Sequence, residues 1–370
     1  MEKMNVFYLF YLASTPFPGY NKKQKSTDSE VSGMGRNAIL KDVAEKVGLS
    51  VASVSLVLNQ KPNRISPESQ ERIFAAAEQL GYKPKSRQPR RPLQKPITLG
   101  LILPEISNSF FADIVQGVDD CIRHHGAQFM LATNGESAQR DAEQIRQFVS
   151  AGISALLIAP SYNCHPSVFE GVPFPVIQVD RQSPSLPFSS IRLNNKKGGY
   201  LATRHLIELG RRHIICITGP NWLLSSQERE EGFRWAMNEA GISVTPDMIL
   251  EGDYQTESGY RLAPQLLSKG ASAVFCENDM MALGVYRYFR EHGINVGSDI
   301  SLVGFDDISF CEFMETPLTT VRQSGYDIGN EACKRAFLEI EHPDLPKQTI
   351  YFEPELIIRK SSEKYGGARI

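Results

Sequence analysis

The residues of this chain that are equipped for chemistry sit just past short apolar runs. Asp180 follows PVIQV, Asn278 and Asp279 follow VFC, and Asp306 and Asp307 follow SLVGF. Arg229 reads as opening a helix after a loop that ends near Ser226. Phe110 and Phe111 come after the first apolar run, and Tyr254 lies in EGDYQTESG. Carboxylates accept hydrogen bonds, whereas Asn and Arg nitrogens donate them. Sugar hydroxyls do both at once, and aromatic rings cover the apolar faces of a pyranose or furanose. Asp180, Arg229, Asn278 and Asp306 with Phe110, Phe111 and Tyr254 therefore form a set suited to a sugar-like ligand. Taken singly, each has a plainer reading. An Asp after a strand is often an N-cap or turn residue, the reading preferred for Asp279 and Asp307, and a Phe after a strand is usually core.

For these residues to meet, the apolar runs must be strands whose ends converge. Residues 97–104 (ITLGLILP) have strand length, and Asn108 can cap a helix over residues 109–125. A strand at 128–133, a helix at 138–149 and strands at 154–159 and 175–180 follow. The rhythm restarts with a strand at 213–219, a helix near 229–240, and strands at 274–276 and 300–305 flanking a helix at 280–292. Strands alternating with helices imply parallel sheets. Two such runs imply two lobes, and 370 residues suffice for both plus a further small domain. In parallel α/β sheets ligands bind at the carboxyl ends of strands, which is where the polar set falls.

Other chemistries find no footing. No GxGxxG follows the first strand and there is no P-loop, so the usual phosphate cradle is missing. The six Cys are scattered without a CxxC pair, which suits reduced thiols in cytoplasm. The seven His show no metal-ligand spacing, and no nucleophile and base pair up as an enzyme would need. No cofactor is expected beyond a small-molecule effector.

Ahead of this body, residues 40–59 (LKDVAEKVGLSVASVSLVLN) read as two short helices broken by a turn. Leu40, Val43, Ala44 and Val47 share one helical face. Gly48 can take positive φ for the turn, and Ser50 can cap the second helix. Val54, Val57 and Leu58 form its buried stripe, while Val51, Ala52, Ser53, Ser55 and Leu56 lie opposite with no charge. Such a face suits close approach to a DNA groove, since a helix-turn-helix places the start of its second helix in the major groove. A third helix has Ser66 as cap, Pro67 in its first turn, Ile73, Ala76, Ala77 and Leu80 on its inner face, and Gly81 at its end. The segment 83–96 (KPKSRQPRRPLQKP) then carries six cations, four prolines and no acid. Beside a reading head such a tether contacts phosphates or the minor groove. Net charge is −2 for the whole chain, so the basicity is local.

These residues carry a resemblance. DVAEKVGLSVASVSLVLN, RISPESQERIFAAAEQLGYKP, VGFDD at 303–307, ENDMMALG at 277–284 and PLTTVRQ at 317–323 together resemble the LacI/GalR family of bacterial transcription regulators, almost without gaps from about residue 39 to 360. The resemblance implies an α/β fold with an all-α helix-turn-helix head and a two-lobed, periplasmic-binding-protein-like core with parallel sheets. It implies a cytoplasmic, nucleoid-associated homodimer that binds operator DNA, an effector between the lobes, and no membrane. It places Asp180, Arg229, Asn278 and Asp306 on effector-contact positions and Tyr254 on a stacking position. Gln323 falls on a cleft position, with a structural role at the lobe crossover as its equal. Leu40, Ser50, Val51, Ala52, Ser53, Ser55, Leu56 and Asn59 fall among DNA contacts. The expected organisation is a leader over 1–35 with Met34 as natural start, a head over 36–84, a hinge over 85–96 and a core over 97–360. The core divides into an N-lobe (97–193 and 325–345) and a C-lobe (194–322 and 346–360), followed by a tail over 361–370 that lacks a Leu heptad.

Two departures stand out. Val51, Ala52 and Leu56 occupy places where the family carries larger polar residues, so base readout would lean on apolar contacts such as thymine methyls. The family's hinge helix has a wedging Leu where this chain has Arg91. Pro89 and Pro92 fall inside that helix, at about 3 kcal/mol each. The principal reading is a sugar-responsive repressor. The alternatives are a nucleobase-responsive regulator stacking a base on Phe110, Phe111 and Tyr254, and a sugar-binding module with a vestigial head. Arg87, Arg90 and Arg91 are expected among the DNA contacts, and a structure of the operator complex should show Arg90 and Arg91 entering or lining the groove. A regular hinge helix with Leu93 wedged at the dyad would contradict this.

Overall fold

The computed structural model describes residues 39–58, 65–82 and 96–362, which fall into two compact units divided near residue 92. In the first, α1 (Leu40–Val47) and α2 (Val51–Leu58) flank Gly48, whose φ of 69° closes α1 by returning its N–H to Ala44 and Glu45 carbonyls. Ser50 Oγ accepts from Ser53 N at 3.1 Å, satisfying an orphan donor at the start of α2. Ser66 does the same for α3 (Pro67–Gln79), with Pro67 in its first turn. Val43, Val54, Val57, Ile73, Ala76 and Ala77 fill the core between the three helices, with Leu40 packed partly buried against it.

The second unit is built on two six-stranded sheets. The first holds β1 (Thr98–Leu103), β2 (Gln128–Thr133), β3 (Ala155–Ile158), β4 (Val176–Val179), β5 (Ser189–Leu193) and β11 (Thr349–Phe352), in the order β11-β5-β4-β3-β1-β2 and parallel throughout. The second holds β6 (Ile214–Thr218), β7 (Ile249–Glu251), β8 (Ala273–Cys276), β9 (Ser301–Asp306), β10 (Thr319–Arg322) and β12 (Glu355–Ile357), with β12 antiparallel at the edge. Central strands such as β3, β6 and β8 are buried along their whole length, as expected where helices cover both faces. The covering helices are α4 (Ser109–His125), α5 (Ala138–Ala151), α6 (Asn195–Glu208), α7 (Leu224–Glu239), α8 (Thr256–Ser268), α9 (Asp279–Glu291) and α10 (Gly325–Glu341).

The chain passes between the lobes three times: after β5, after β10, and after β11. The last differs from the expected division at 346. Residues Thr349–Phe352 pair in parallel with β5, so they belong to the first lobe and the chain returns only beyond Phe352. The reason is the exit of α10, which leaves the strand free to extend the first sheet beside β5 before the antiparallel β12 closes the second.

Helices of the body meet backbone to backbone. A Cβ added to Gly199 on α6 would lie 2.1 Å from the Arg229 carbonyl oxygen on α7, and one on Gly232 of α7 would lie 2.1 Å from the Lys196 oxygen. The same reciprocal arrangement joins α4 to α10 and α8 to α9. In a free helix Gly→Ala stabilises by roughly 1 kcal/mol. Gly199→Ala should instead destabilise by about 1–3 kcal/mol, because overpacking has no room to relax. A urea denaturation midpoint measures the sign.

Candidate functional site

The carboxyl ends of β1, β4, β6, β8 and β9 face a cavity of about 370 Å³ between the two lobes, at the small end of the roughly 300–1,000 Å³ usual for small-molecule sites. All eight residues picked from sequence for a ligand line it: Phe110, Phe111, Asp180, Arg229, Tyr254, Asn278, Asp306 and Gln323. Backbone strain gathers here as well. Among the described residues, the non-glycine positions with left-handed φ are Glu136, Asp180, Tyr254, Asp306 and Asp307. The first four line the cavity, and Asp307 adjoins Asp306. Each costs of order 1–3 kcal/mol and turns a strand-end side chain away from its regular direction.

Arg229 organises the floor. It lies in the second turn of α7 rather than opening that helix, which starts at Leu224. Sequence reading placed it too early because the polar run before it hides the start. Its Nε donates to Asn195 Oδ1 at 2.8 Å, its Nη1 donates to the Glu277 carbonyl, and the guanidinium stacks 3.8 Å over the Phe305 ring. Burial alone would lower its pKa, but Tyr254, Asp306, Asp180 and Glu277 around it raise it instead.

The carboxyls respond in the opposite sense. Burial pushes Asp180 up, against the pull of Arg181, Arg229 and Arg192. Burial pushes Asp306 well up, with Arg229 opposing and Asp279 and Asp180 adding to the rise. Gln323 Nε2 donates to Asp306 Oδ1 at 2.5 Å, while its own Oε1 is buried without a protein partner. Gln323 thus lines the cleft while tied to the end of β9 through Asp306. The hydroxyl of Tyr254 is likewise buried and unpartnered. Two polar atoms of the lining are therefore left for a ligand.

The reading of Asp279 needs correction, and those of Asn278, Phe110 and Phe111 gain detail. Asn278 lines the cavity, but its Oδ1 caps α9 through Met281 N and its amide nitrogen donates to the Tyr254 carbonyl, both at 2.9 Å. Its main duty is to hold the Tyr254 loop, with one N–H left over. Asp279 is not the cap. It is fully buried and accepts from Ile308 N, Thr320 Oγ1 and Cys311 Sγ, tying β9 and β10 to α9. Phe110 and Phe111 are core and cavity wall at once, 3 % and 5 % exposed and edge-to-face at 5.3 Å. Asp307 sits in the turn expected of it, ion-paired with Arg322 and Arg359.

Sequence reading missed Trp222, Arg181 and Glu277. Trp222 lies in the loop after β6 and Arg181 directly follows Asp180, so the strand-end rule would have found both. Arg181 pairs with Glu136 across the cavity wall. Glu277 lies behind Arg229, where its Oε2 accepts from Gly219 N and Ser226 Oγ and its Oε1 has no partner. Burial pushes it up to about 8. It directly follows β8, so the strand-end rule reaches it too, but its raised pKa comes from burial that the string ENDMM does not show.

On the head, Val51 and Leu56 present an apolar surface, 44 % and 37 % exposed. Ser50 and Ser53 pair through their hydroxyls at 2.9 Å. Asn59, Arg87, Arg90, Arg91 and the side chain of Ala52 lie outside the described residues. Among the described residues no helix is long and apolar enough to cross a membrane.

Comparison with known proteins agrees with this geometry. Residues 39–85 match the family described as bacterial regulatory proteins, lacI family, and residues 203–362 match the periplasmic binding protein-like domain. The HTH-type transcriptional repressor PurR of Vibrio parahaemolyticus serotype O3:K6 is 30% identical over 332 residues, covering 88% of this chain and 99% of the relative. The structure of a transcriptional regulator CelR–cellobiose complex matches with a TM-score of 0.66 at 28% identity, over 88% of this chain and 100% of that one. A lac repressor dimer bound to operator and the anti-inducer ONPF matches with a TM-score of 0.66 at 25% identity, over 89% and 100%.

The buried carboxyl of Glu277 sets a pH dependence. Between its ordinary value of 4.5 and about 8, the folded protein keeps a proton that the unfolded chain has lost. Stability should therefore fall as pH rises through that window, by at most about 1.4 kcal/mol per pH unit from this group. Urea titrations from pH 5 to 8.5 should show a flatter slope in Glu277→Gln, and an unchanged slope would remove Glu277 as its source.

Proposed function

The chain belongs to the LacI family of bacterial regulatory proteins, a DNA-binding transcriptional regulator with an effector-binding body, and on that premise we propose that its effector is a neutral, sugar-like polyol. It acts as a repressor on operator DNA as a homodimer, at the nucleoid in the cytoplasm. The head reads its site with the apolar face of Val51 and Leu56, which suits thymine methyls better than bidentate base contacts.

The observation that carries the effector reading is the polar lining around Arg229. A guanidinium, the carboxyls of Asp180 and Asp306, the free Tyr254 hydroxyl and the free Gln323 oxygen converge on one small space. Hydroxyls that donate and accept can satisfy all of them. The lining carries Glu105, Glu136, Asp180, Asp253 and Asp306 against Arg181 and Arg229, so sugar phosphates and other anions are disfavoured. The ring content of Phe110, Phe111, Tyr254 and Trp222 favours a nucleobase as the second reading.

Thermal-shift screening of neutral sugars, sugar phosphates and nucleobases separates these. At a hundred times Kd a ligand adds about 2.7 kcal/mol of stability. A neutral sugar should raise Tm and its phosphate should not. Asp306→Ala should abolish the shift while leaving operator affinity intact in a gel-shift assay. A nucleobase as the sole hit would replace this reading.

A further inference from the structure

The cleft has a second compartment. A cavity of about 370 Å³ lies against the first and shares Arg181, Trp222, Leu223 and Ser225 with it as a common wall. Its remaining lining has a different chemistry. Arg181 is its one charged side chain among the described residues, and that charge is already paired with Glu136. The rest is hydroxyl, amide and ring, as in Tyr162, Gln182, Ser183, Ser185 and Gln227. Gln182 Oε1 accepts from Arg192 at 2.7 Å, which leaves its amide nitrogen as a donor. Gln227 Nε2 donates to the Asn221 carbonyl at 2.8 Å, which leaves its oxygen as an acceptor.

Two rings form one side of this compartment. Tyr162 follows β3 of the first lobe, Trp222 follows β6 of the second, and their centroids are 5.0 Å apart at a 43° tilt. No sugar ring fits between them at that spacing, so a ligand must lie against their joint face. Tyr162 is 55% exposed, a large aromatic left uncovered beside a polar pocket.

We infer that the effector is a disaccharide, with one unit held by the charged inner compartment and the second lying against Tyr162 and Trp222 in the neutral outer one. This rests on the polyol reading above and names its size class. A ligand with a charged second unit finds no free opposite charge there. A second sugar finds a ring wall for its apolar face and one donor and one acceptor for its hydroxyls. Because the ring pair comes from both lobes, the second unit also bears on their closure.

The test is calorimetry on the full-length chain with matched probes: D-glucose against maltose and cellobiose, D-galactose against lactose and melibiose, D-fructose against sucrose. At least one disaccharide should bind about tenfold or more tighter than its monosaccharide, the scale of one aromatic contact with its hydrogen bonds. Tyr162→Ala, at a position 55% exposed, should return that disaccharide to the monosaccharide's affinity and leave the monosaccharide unchanged. Asp306→Ala should lose both. The inference is overturned if no disaccharide outbinds its monosaccharide, or if Tyr162→Ala weakens both equally, and in either case the polyol reading stands. A panel silent for every neutral sugar overturns the polyol reading and this inference with it.

Discussion

A guanidinium almost wholly withdrawn from water at the floor of the cleft is the constraint on which the body of this protein depends. Arg229 cannot shed its proton, and an uncompensated buried cation costs several kcal/mol. Its neighbours are therefore dictated. The second lobe supplies Asp306, a carbonyl oxygen and the Phe305 face, and the first lobe supplies Asp180. Behind them Glu277 and Asp279 are buried acids of the same lobe, tied by hydrogen bonds to the strands and helices around the cleft. The close approach of α6 to α7 at Gly199 serves the same end, because it fixes the backbone of Arg229 itself. Charge drawn from both lobes makes their relative position an electrostatic matter as well as a steric one.

The cleft is also where local rules are broken. Left-handed non-glycine positions concentrate there, and the Tyr254 hydroxyl and Gln323 Oε1 are buried in its lining without a protein partner. Strain at Asp180, Tyr254 and Asp306 points side chains into space that ordinary strand termini would leave empty. A structure that bears such costs in one place does so because the surrounding sheets and glycine-seamed helix pairs are rigid enough to impose them.

The fold was legible where periodicity is strong. The helix at Ser109–His125 and the strand at Gln128–Thr133 stand where their residues place them, because Asn108 caps the one and a short apolar run after the Gly126 turn marks the other. Short strands without a turn signature, such as β5, β7 and Thr349–Phe352, were not legible, since their places come from partners far along the chain. At the site, residue type and strand-end position were enough to find the cavity's polar set. They did not distinguish Asn278 from Asp279 as the cap, because both suit that role and only the buried receiving groups at Ile308, Thr320 and Cys311 decide between them. Glu277 was silent for the same reason: its unusual state is a property of what surrounds it. On the head, the exposure of Val51 and Leu56 was legible, since it follows from which stripe is buried.

The three passages between the lobes lie side by side. Phe352 pairs with Leu193, Asn194 N donates to the Phe352 carbonyl at 2.9 Å, and Glu355 pairs with Arg322. The last passage therefore runs between the other two, stitched to each. Mechanically this is a flat three-leaf flexure. Such a joint bends readily about one axis and resists torsion and sliding, so a jaw mounted on it has a single degree of freedom. Three crossings tied edge to edge in this way hold the two lobes more firmly against sliding than three separate strands would.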